Sequence, residues 1–180
     1  MIAKILSSID EPVISALPGF FMSFAKWLQS TWFAVAISSS LWAYPFVQFT
    51  HFAGLSLWIG TNFALDLRLV GLGKKEPTGA ELARALFVWN WIGFGAAIAG
   101  GFLLFSASAT KYIPNPAFEI KLGVLIPLAL ITHIVVQRKA LAWGATREVQ
   151  TAGRVAGLIE MVLWLCVITA AVSIPSFEVH

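Results

Sequence analysis

The sequence predicts an all-α fold, an integral membrane four-helix bundle with an N-terminal interfacial amphipathic helix. Of its 180 residues, 58% are hydrophobic and only 12% are charged, and the mean hydropathy is +0.81. Soluble domains carry about twice that share of charge. The 8 Trp and 14 Phe suit the aromatic belts of a membrane protein. The charges are also spaced widely enough for helices of about 20 residues to cross the hydrocarbon core between them.

The N-terminal segment, residues 1–40, is expected to lie on the membrane and not to cross it. Within it, residues 18–37 carry apolar side chains at helical spacing, with Lys26 among the polar residues between them. Such a pattern is typical of an amphipathic helix in the interface. The apolar stripe consists of Phe20, Phe24, Trp27, Leu28 and Trp32.

The first span lies at the start of the membrane domain, residues 41–180. No charge occurs between Lys26 and Asp66, a run that is far too long for one crossing of a bilayer. The serines at 38–40 and Pro45 supply a break. We therefore predict a first span over about 42–66.

Three further spans follow at about 85–108, 119–140 and 155–174. The third contains Lys121 near one end, where the side chain can reach the headgroups, and the fourth contains a single charge, Glu160. The second span has small residues at four-residue spacing, which let helix backbones approach closely in lipid. These small residues are Gly93, Ala96, Ala97, Gly100 and Gly101.

The basic residues predict the orientation. Eight of the twelve Lys and Arg fall in the stretches 67–84 and 138–154. Loops rich in Lys and Arg stay in the cytoplasm. We expect both termini outside, which is the periplasm for a protein of the bacterial inner membrane.

Ionisable side chains within spans are costly and mark functional candidates. Here they are His51, Lys121, His133 and Glu160. His51 belongs to a stripe along the first span that should face the bundle interior. This stripe consists of Tyr44, Gln48, His51, Trp58 and Asn62.

Two intramembrane histidines favour a metal-bound cofactor, because facing imidazoles can hold a haem iron from both sides. We therefore predict haem b with His51 and His133 as axial ligands. At 1.5 Å per residue the two lie at levels that differ by about 9 Å, so a single liganding histidine remains open, as does a packing role. Copper is disfavoured, since Cys166 and the methionines form no evident cluster with the histidines.

Glu160 is expected at a depth similar to that of His133, Asn62 and Asn90. This inner polar cluster predicts a second shell around the cofactor, a plain hydrogen-bond network or a proton relay. Lys121 lies near the outer interface. It either extends to the headgroups or pairs with an anionic group such as a haem propionate.

The stretch WAYPFVQFTHFAGLSLWIGTNFALDLRLVGLG, followed by FEIKLGVL, resembles an uncharacterised family of small four-helix bacterial membrane proteins. Its first span is similar in layout to the His…Trp-x-Gly helix of copper-resistance-D-type and HemJ-type (protoporphyrinogen oxidase) membrane proteins. The resemblance covers about residues 41–140. It implies a bacterial inner-membrane bundle with His51 as a haem or metal ligand. The matching motif positions are Trp58, Gly60, Asp66, Arg68 and Lys121.

The expected function is electron transfer through b-type haem, alone or as the membrane subunit of a redox complex such as an oxidoreductase. The chain carries no phosphate-binding loop motif, so chemistry would come from a bound cofactor. Two alternatives remain open. One is a structural or pigment-binding subunit of a respiratory or photosynthetic membrane assembly, and the other, less favoured, is copper transport. The expected partners are the lipid bilayer and other membrane redox or assembly subunits, not nucleic acid.

Overall fold

The computed structural model describes residues 11–72, 76–146 and 148–177, and the elements in these ranges are all helical. Four helices form the bundle, and the others join them or precede them. The helices are α1 Glu11–Gln29, α2 Trp32–Ser39, α3 Ala43–Val70, α4 Gly79–Ala107, α5 Ala109–Tyr112, α6 Pro116–Ile120, α7 Ile126–Trp143 and α8 Thr151–Ser173. A π-helical turn, Lys121–Leu125, joins α6 to α7, and a 3₁₀ turn, Ile174–Phe177, follows α8.

Three helices are long and apolar enough to cross a membrane: Gly79–Ala107, Pro116–Trp143 and Thr151–Phe177. They contain the predicted second, third and fourth spans. The predicted first span corresponds to α3, whose 28 residues are sufficient in length but which is not among these three. Its sequence includes polar residues such as Gln48, His51 and Asn62, which lower its hydropathy. A membrane protein is therefore supported, with three candidate spanning helices among the described residues.

The predicted helix over 18–37 is instead two helices, α1 and α2, with a break at Ser30 and Thr31. The hydroxyls of both residues bond back to carbonyls three residues earlier, at 2.7 Å for Ser30 and 2.6 Å for Thr31. Such local bonds compete with helix continuation. The one predicted break in the uncharged run, at the serines 38–40, is confirmed, because α2 ends at Ser39 and α3 begins at Ala43.

Helices α1 and α5 meet beside the end of α4. Ala25 and Leu28 pack against Ala109, and the Gln29 side-chain oxygen accepts hydrogen bonds from the Thr110 amide and hydroxyl, at 3.2 and 2.9 Å. All four aromatic side chains of the predicted stripe are exposed. These exposed residues are Phe20, Phe24, Trp27 and Trp32.

Helix α4 begins six residues earlier than the predicted span. Thr78 and Glu81 form a capping box, in which the Thr78 hydroxyl accepts from the Glu81 amide and the Glu81 carboxylate accepts from the Thr78 amide. These bonds satisfy amides that the start of a helix leaves without partners. The Thr-x-x-Glu spacing was a readable signal for this start.

The predicted close approach of helix backbones occurs between α3 and α4. A Cβ added to Gly93 would lie 2.6 Å from the backbone nitrogen of Trp58, and one added to Gly100 would lie 2.9 Å from the His51 Cα. Only glycine fits where backbones come this close. The small residues of α4 thus determine the level at which α3 packs against it.

Two apolar clusters fill the space between α3, α4, α7 and α8 and leave a polar layer between them. One contains Leu65, Ala83 and Val136, and the other contains Trp58, Ala97 and Ala129. On three of the four helices, buried polar residues fall between members of the two clusters. These polar residues are Thr61, Asn62, Asn90 and His133.

Candidate functional site: a buried polar cluster and a separate histidine

The polar layer contains a hydrogen-bonded cluster centred on His133. Its Nδ1 lies 2.7 Å from Glu160 Oε1, and its Nε2 lies 3.0 Å from Asn90 Oδ1. Each of these side chains is at most 1% exposed. The expected inner grouping of His133, Glu160, Asn62 and Asn90 is therefore present, and both ring nitrogens of His133 have partners within it.

The orientation of the Asn90 amide follows from its neighbours on α3. Its Nδ2 donates to Thr61 Oγ1 at 2.9 Å and to Asn62 Oδ1. The Thr61 hydroxyl in turn donates to its own helix backbone, so it acts as an acceptor toward Asn90. Asn90 Oδ1 consequently faces His133 as an acceptor.

Asp66, which the sequence marked only as a motif position of the resemblance, also belongs to this cluster. Its carboxyl group lies within hydrogen-bonding reach of the Glu160 carboxyl, and it is 1% exposed. Gly157 makes the approach possible, because a Cβ there would lie 3.2 Å from the Asp66 carbonyl oxygen. The step of four residues from Asn62 to Asp66 was the available signal, since residues four apart share a helix face.

Two tryptophans form one wall of the cluster. The rings of Trp58 and Trp164 lie 4.4 Å apart between centroids, and the Trp58 ring lies 6.0 Å from that of His133. Trp164 Nε1 donates to Glu160 Oε1 at 3.3 Å. Trp58 was an expected site residue, whereas Trp164 was missed because it resembles any apolar residue of a span.

Several buried polar atoms in this layer lack partners within the described part of the chain. Trp58 Nε1 and Asn62 Nδ2 have no acceptor, and three carboxyl oxygens of Asp66 and Glu160 have no partner apart from the contact between these two carboxyl groups. Leaving such groups unsatisfied costs about 1–3 kcal/mol each. The layer therefore contains polar groups that the described helix packing does not satisfy.

His51 lies outside this cluster. It precedes Trp58 along α3, whereas the cluster residues Asn62 and Asp66 follow it. Its Nδ1 is 2.7 Å from the Ala97 carbonyl oxygen. A carbonyl only accepts, so Nδ1 carries the hydrogen and Nε2 keeps its lone pair. The ring lies over Gly101, where an added Cβ would be 3.0 Å from the His51 Cε1.

The prediction that the stripe of α3 faces the interior is wrong for Gln48, which is exposed; Tyr44 and His51 are half-buried. Gln48 and Asp66 are 18 residues apart, five full helical turns, and so point in the same direction. Asp66 is nevertheless buried. Gln48 is therefore exposed because of its position along α3, and not because it lies on a different face of the helix. The bundle closes around the second half of α3 and is open around the first.

Lys121 lies at the open end of the bundle, in the π turn. Its Nζ is 5.3 Å from the centre of the Phe118 ring, and it is near enough to His51 to influence it electrostatically. The turn itself has a local cause. Pro127 has no N–H to donate, so the regular bonding pattern is interrupted just before it.

The structure does not bring His51 and His133 together. Their partners on α4, Ala97 and Asn90, are seven residues apart, which is about 10 Å along the helix. Within the described ranges, no group of three or more His, Cys, Asp or Glu side chains is arranged to hold a metal ion. The predicted pair of axial ligands on one iron is therefore not assembled here.

Comparison of the chain with family models, curated proteins and solved structures finds no match. The resemblance to copper-resistance-D-type and HemJ-type proteins stays a prediction.

Proposed function

We propose that this chain is a four-span protein of the bacterial inner membrane that transfers electrons through one b-type haem held by His51. The observation that carries the proposal is the His51 ring, whose Nδ1 is tied to the Ala97 carbonyl while Nε2 keeps its lone pair. Histidines that ligate metals typically donate their other ring N–H to a carbonyl or carboxylate in this way.

The fourth span in this proposal is α3. At 1.5 Å per residue its 28 residues are about 42 Å long, enough to cross the bilayer. Its polar side chains Asn62 and Asp66 are buried against α4, α7 and α8, whereas Phe46 and Phe49 are exposed. A span of low hydropathy is compatible with lipid when its polar groups face the bundle in this manner.

The orientation in this proposal follows the basic residues. The connections 71–78 and 144–150 would be cytoplasmic, and the end of the bundle with Lys121 would face the periplasm. The attachment of Gln29 to Thr110 supports an N-terminal segment on that same outer side, because α4 ends there.

The residues around His51 fit a haem group in three respects. One nitrogen is available, Gly101 leaves room for the ring to take this position, and Lys121 offers a cation for a propionate. The uncovered first half of α3 leaves this face accessible. A bound haem would supply one-electron transfer, while the protein would orient the imidazole and keep water from the buried half of the bundle.

His133 has a different place in this proposal. Both of its ring nitrogens are hydrogen bonded, to Glu160 and to Asn90, so binding iron would break one of these buried bonds. We therefore assign the haem to His51 alone and leave His133 in the polar layer.

The test compares haem content per protein and reduced-minus-oxidised spectra of the parent, His51→Gly and His133→Gln after haem-replete expression. We expect His51→Gly to lose most of its haem and added imidazole to restore it, because imidazole can take the place of the missing ring. His133→Gln, the matched control, should retain haem. Haem loss in His133→Gln with retention in His51→Gly would contradict the assignment.

If the parent protein binds no haem, the electron-transfer proposal is overturned. The alternative of a structural or pigment-binding subunit of a respiratory or photosynthetic assembly would then take its place. The absorption spectrum of the purified parent distinguishes the two at once.

A further inference from the structure

The polar layer contains a linear series of protonatable groups that the haem proposal does not use. It runs from His133 on α7 to Glu160 on α8 and on to Asp66 on α3. All three side chains are at most 1% exposed, so each ionised form would have to be stabilised inside the bundle. The hydrogen bonds therefore determine where protons can reside.

The first hydrogen position is determined by Asn90. Since its Oδ1 is an acceptor, the His133 Nε2 at 3.0 Å must carry a hydrogen. His133 Nδ1 is then the atom that exchanges a proton with Glu160 Oε1, 2.7 Å away. That bond holds one proton, either on the imidazole or on the carboxyl.

The second hydrogen position lies between the two carboxyl groups. Asp66 and Glu160 are within hydrogen-bonding reach of each other, and two adjacent carboxylates would repel strongly inside the bundle. One of them must therefore donate, as the paired carboxyl groups of aspartic proteases do.

Charge counting agrees with these two protons. With one proton in the His133–Glu160 bond and one in the Glu160–Asp66 bond, these three side chains together have no net charge. Loss of either proton would leave an uncompensated anion in the layer. An uncompensated charge buried in this way is strongly unfavourable. Charge separation is lowest when the His133 imidazole is neutral and the carboxyl groups of Glu160 and Asp66 are both protonated.

We propose that Asp66, Glu160 and His133 form a proton-transfer chain within the bundle, with Glu160 as the intermediate carrier. In one step the Asp66 proton passes to one oxygen of Glu160 while the proton on Glu160 Oε1 passes to His133 Nδ1. The products are an Asp66 carboxylate, a still-protonated Glu160 and a His133 imidazolium, so protons and charge balance.

The surroundings of both ends support this step. Asn90 Oδ1 accepts from His133 Nε2 and so stabilises the imidazolium. At the other end, Asn62 Nδ2 is a buried donor with no described partner, one helical turn from Asp66. It is available to the carboxylate that Asp66 becomes.

The test is infrared spectroscopy of the purified protein in nanodiscs at neutral pH, in H₂O and D₂O, with or without haem. We expect the parent to show the carbonyl stretch of protonated carboxyl groups, with the small downshift that deuterium produces. Asp66→Asn and Glu160→Gln should each remove about half of that intensity. Glu119→Gln, at an exposed position, is the matched control and should leave it unchanged.

Absence of the protonated-carboxyl band in the folded parent would overturn the proposal, as would a band that neither substitution alters. If the variants do not fold, the parent labelled with ¹³C-aspartate serves instead. A shift of part of the band on labelling supports the proposal, and an unshifted band overturns it. Because no readout depends on haem, failure here is distinguishable from failure of the electron-transfer proposal.

Discussion

Gly54 of α3 lies directly against the backbone of Ala97 in α4. A Cβ built on Gly54 would be 2.5 Å from the Ala97 nitrogen and 2.9 Å from the Ala96 side chain. Ala97 also provides the carbonyl that holds His51. The contact that determines the spacing of α3 and α4 therefore also positions the candidate haem ligand.

We expect Gly54→Ala to destabilise the folded protein by about 1–3 kcal/mol, because the added methyl group meets backbone that cannot move without separating the helices. Thermal unfolding in detergent measures this change. Gly60→Ala is the control on the same helix, since an added Cβ there meets nothing within 4 Å. Equal effects of the two substitutions would contradict the close packing described here.

A second prediction concerns the space that Gly101 leaves for the His51 ring. Gly101→Val should displace the imidazole from the Ala97 carbonyl and reduce haem retention several-fold, since even a Cβ would lie 3.0 Å from the ring. Haem content per protein is the measurement. Gly95→Val, on the same helix but in open space, should retain haem. Unchanged haem retention in Gly101→Val would contradict the assignment of His51 as the haem ligand.

A third prediction concerns Asn90, which joins three helices through its side chain. Asn90→Leu removes the partners of His133 Nε2 and Asn62 Oδ1, and each buried group left unpaired should cost about 1–3 kcal/mol. Thr132→Val is the control, because the Thr132 hydroxyl bonds only within its own helix. If both variants unfold at the parental temperature, the hydrogen bonds of the polar layer do not contribute to stability.

A fourth prediction concerns topology. With Cys166 replaced by alanine, cysteines introduced at Ser23 and Ser30, both exposed, should react with an impermeant reagent added from the periplasmic side. A periplasmic reporter fused after His180 should be active, since the proposed orientation, with the basic connections in the cytoplasm, has both termini outside. Labelling only from the cytoplasm, or an inactive periplasmic reporter at the C-terminus, would reverse the proposed orientation.

The sequence by itself determined the membrane setting and the approximate positions of the long helices. Long uncharged runs and their breaks are local properties, so the break before Ala43 and the span containing His133 were readable from residue order. Start and end points were less accurate, as at Thr78, where a capping box extends α4. The small-residue spacing of α4 likewise indicated a close helix contact, although it did not identify the helix that packs there.

Only the tertiary structure decided which polar residues meet. His51 and His133 looked equivalent in the sequence, yet packing places one beside Ala97 at an open end and the other between Glu160 and Asn90. Asp66 looked like the charge that ends a span. It belongs to the buried cluster because Gly157 lets α8 approach α3 at that level. Periodicity determines which face of a helix a residue occupies, but only the packing of neighbouring helices determines whether that face is covered at a given depth.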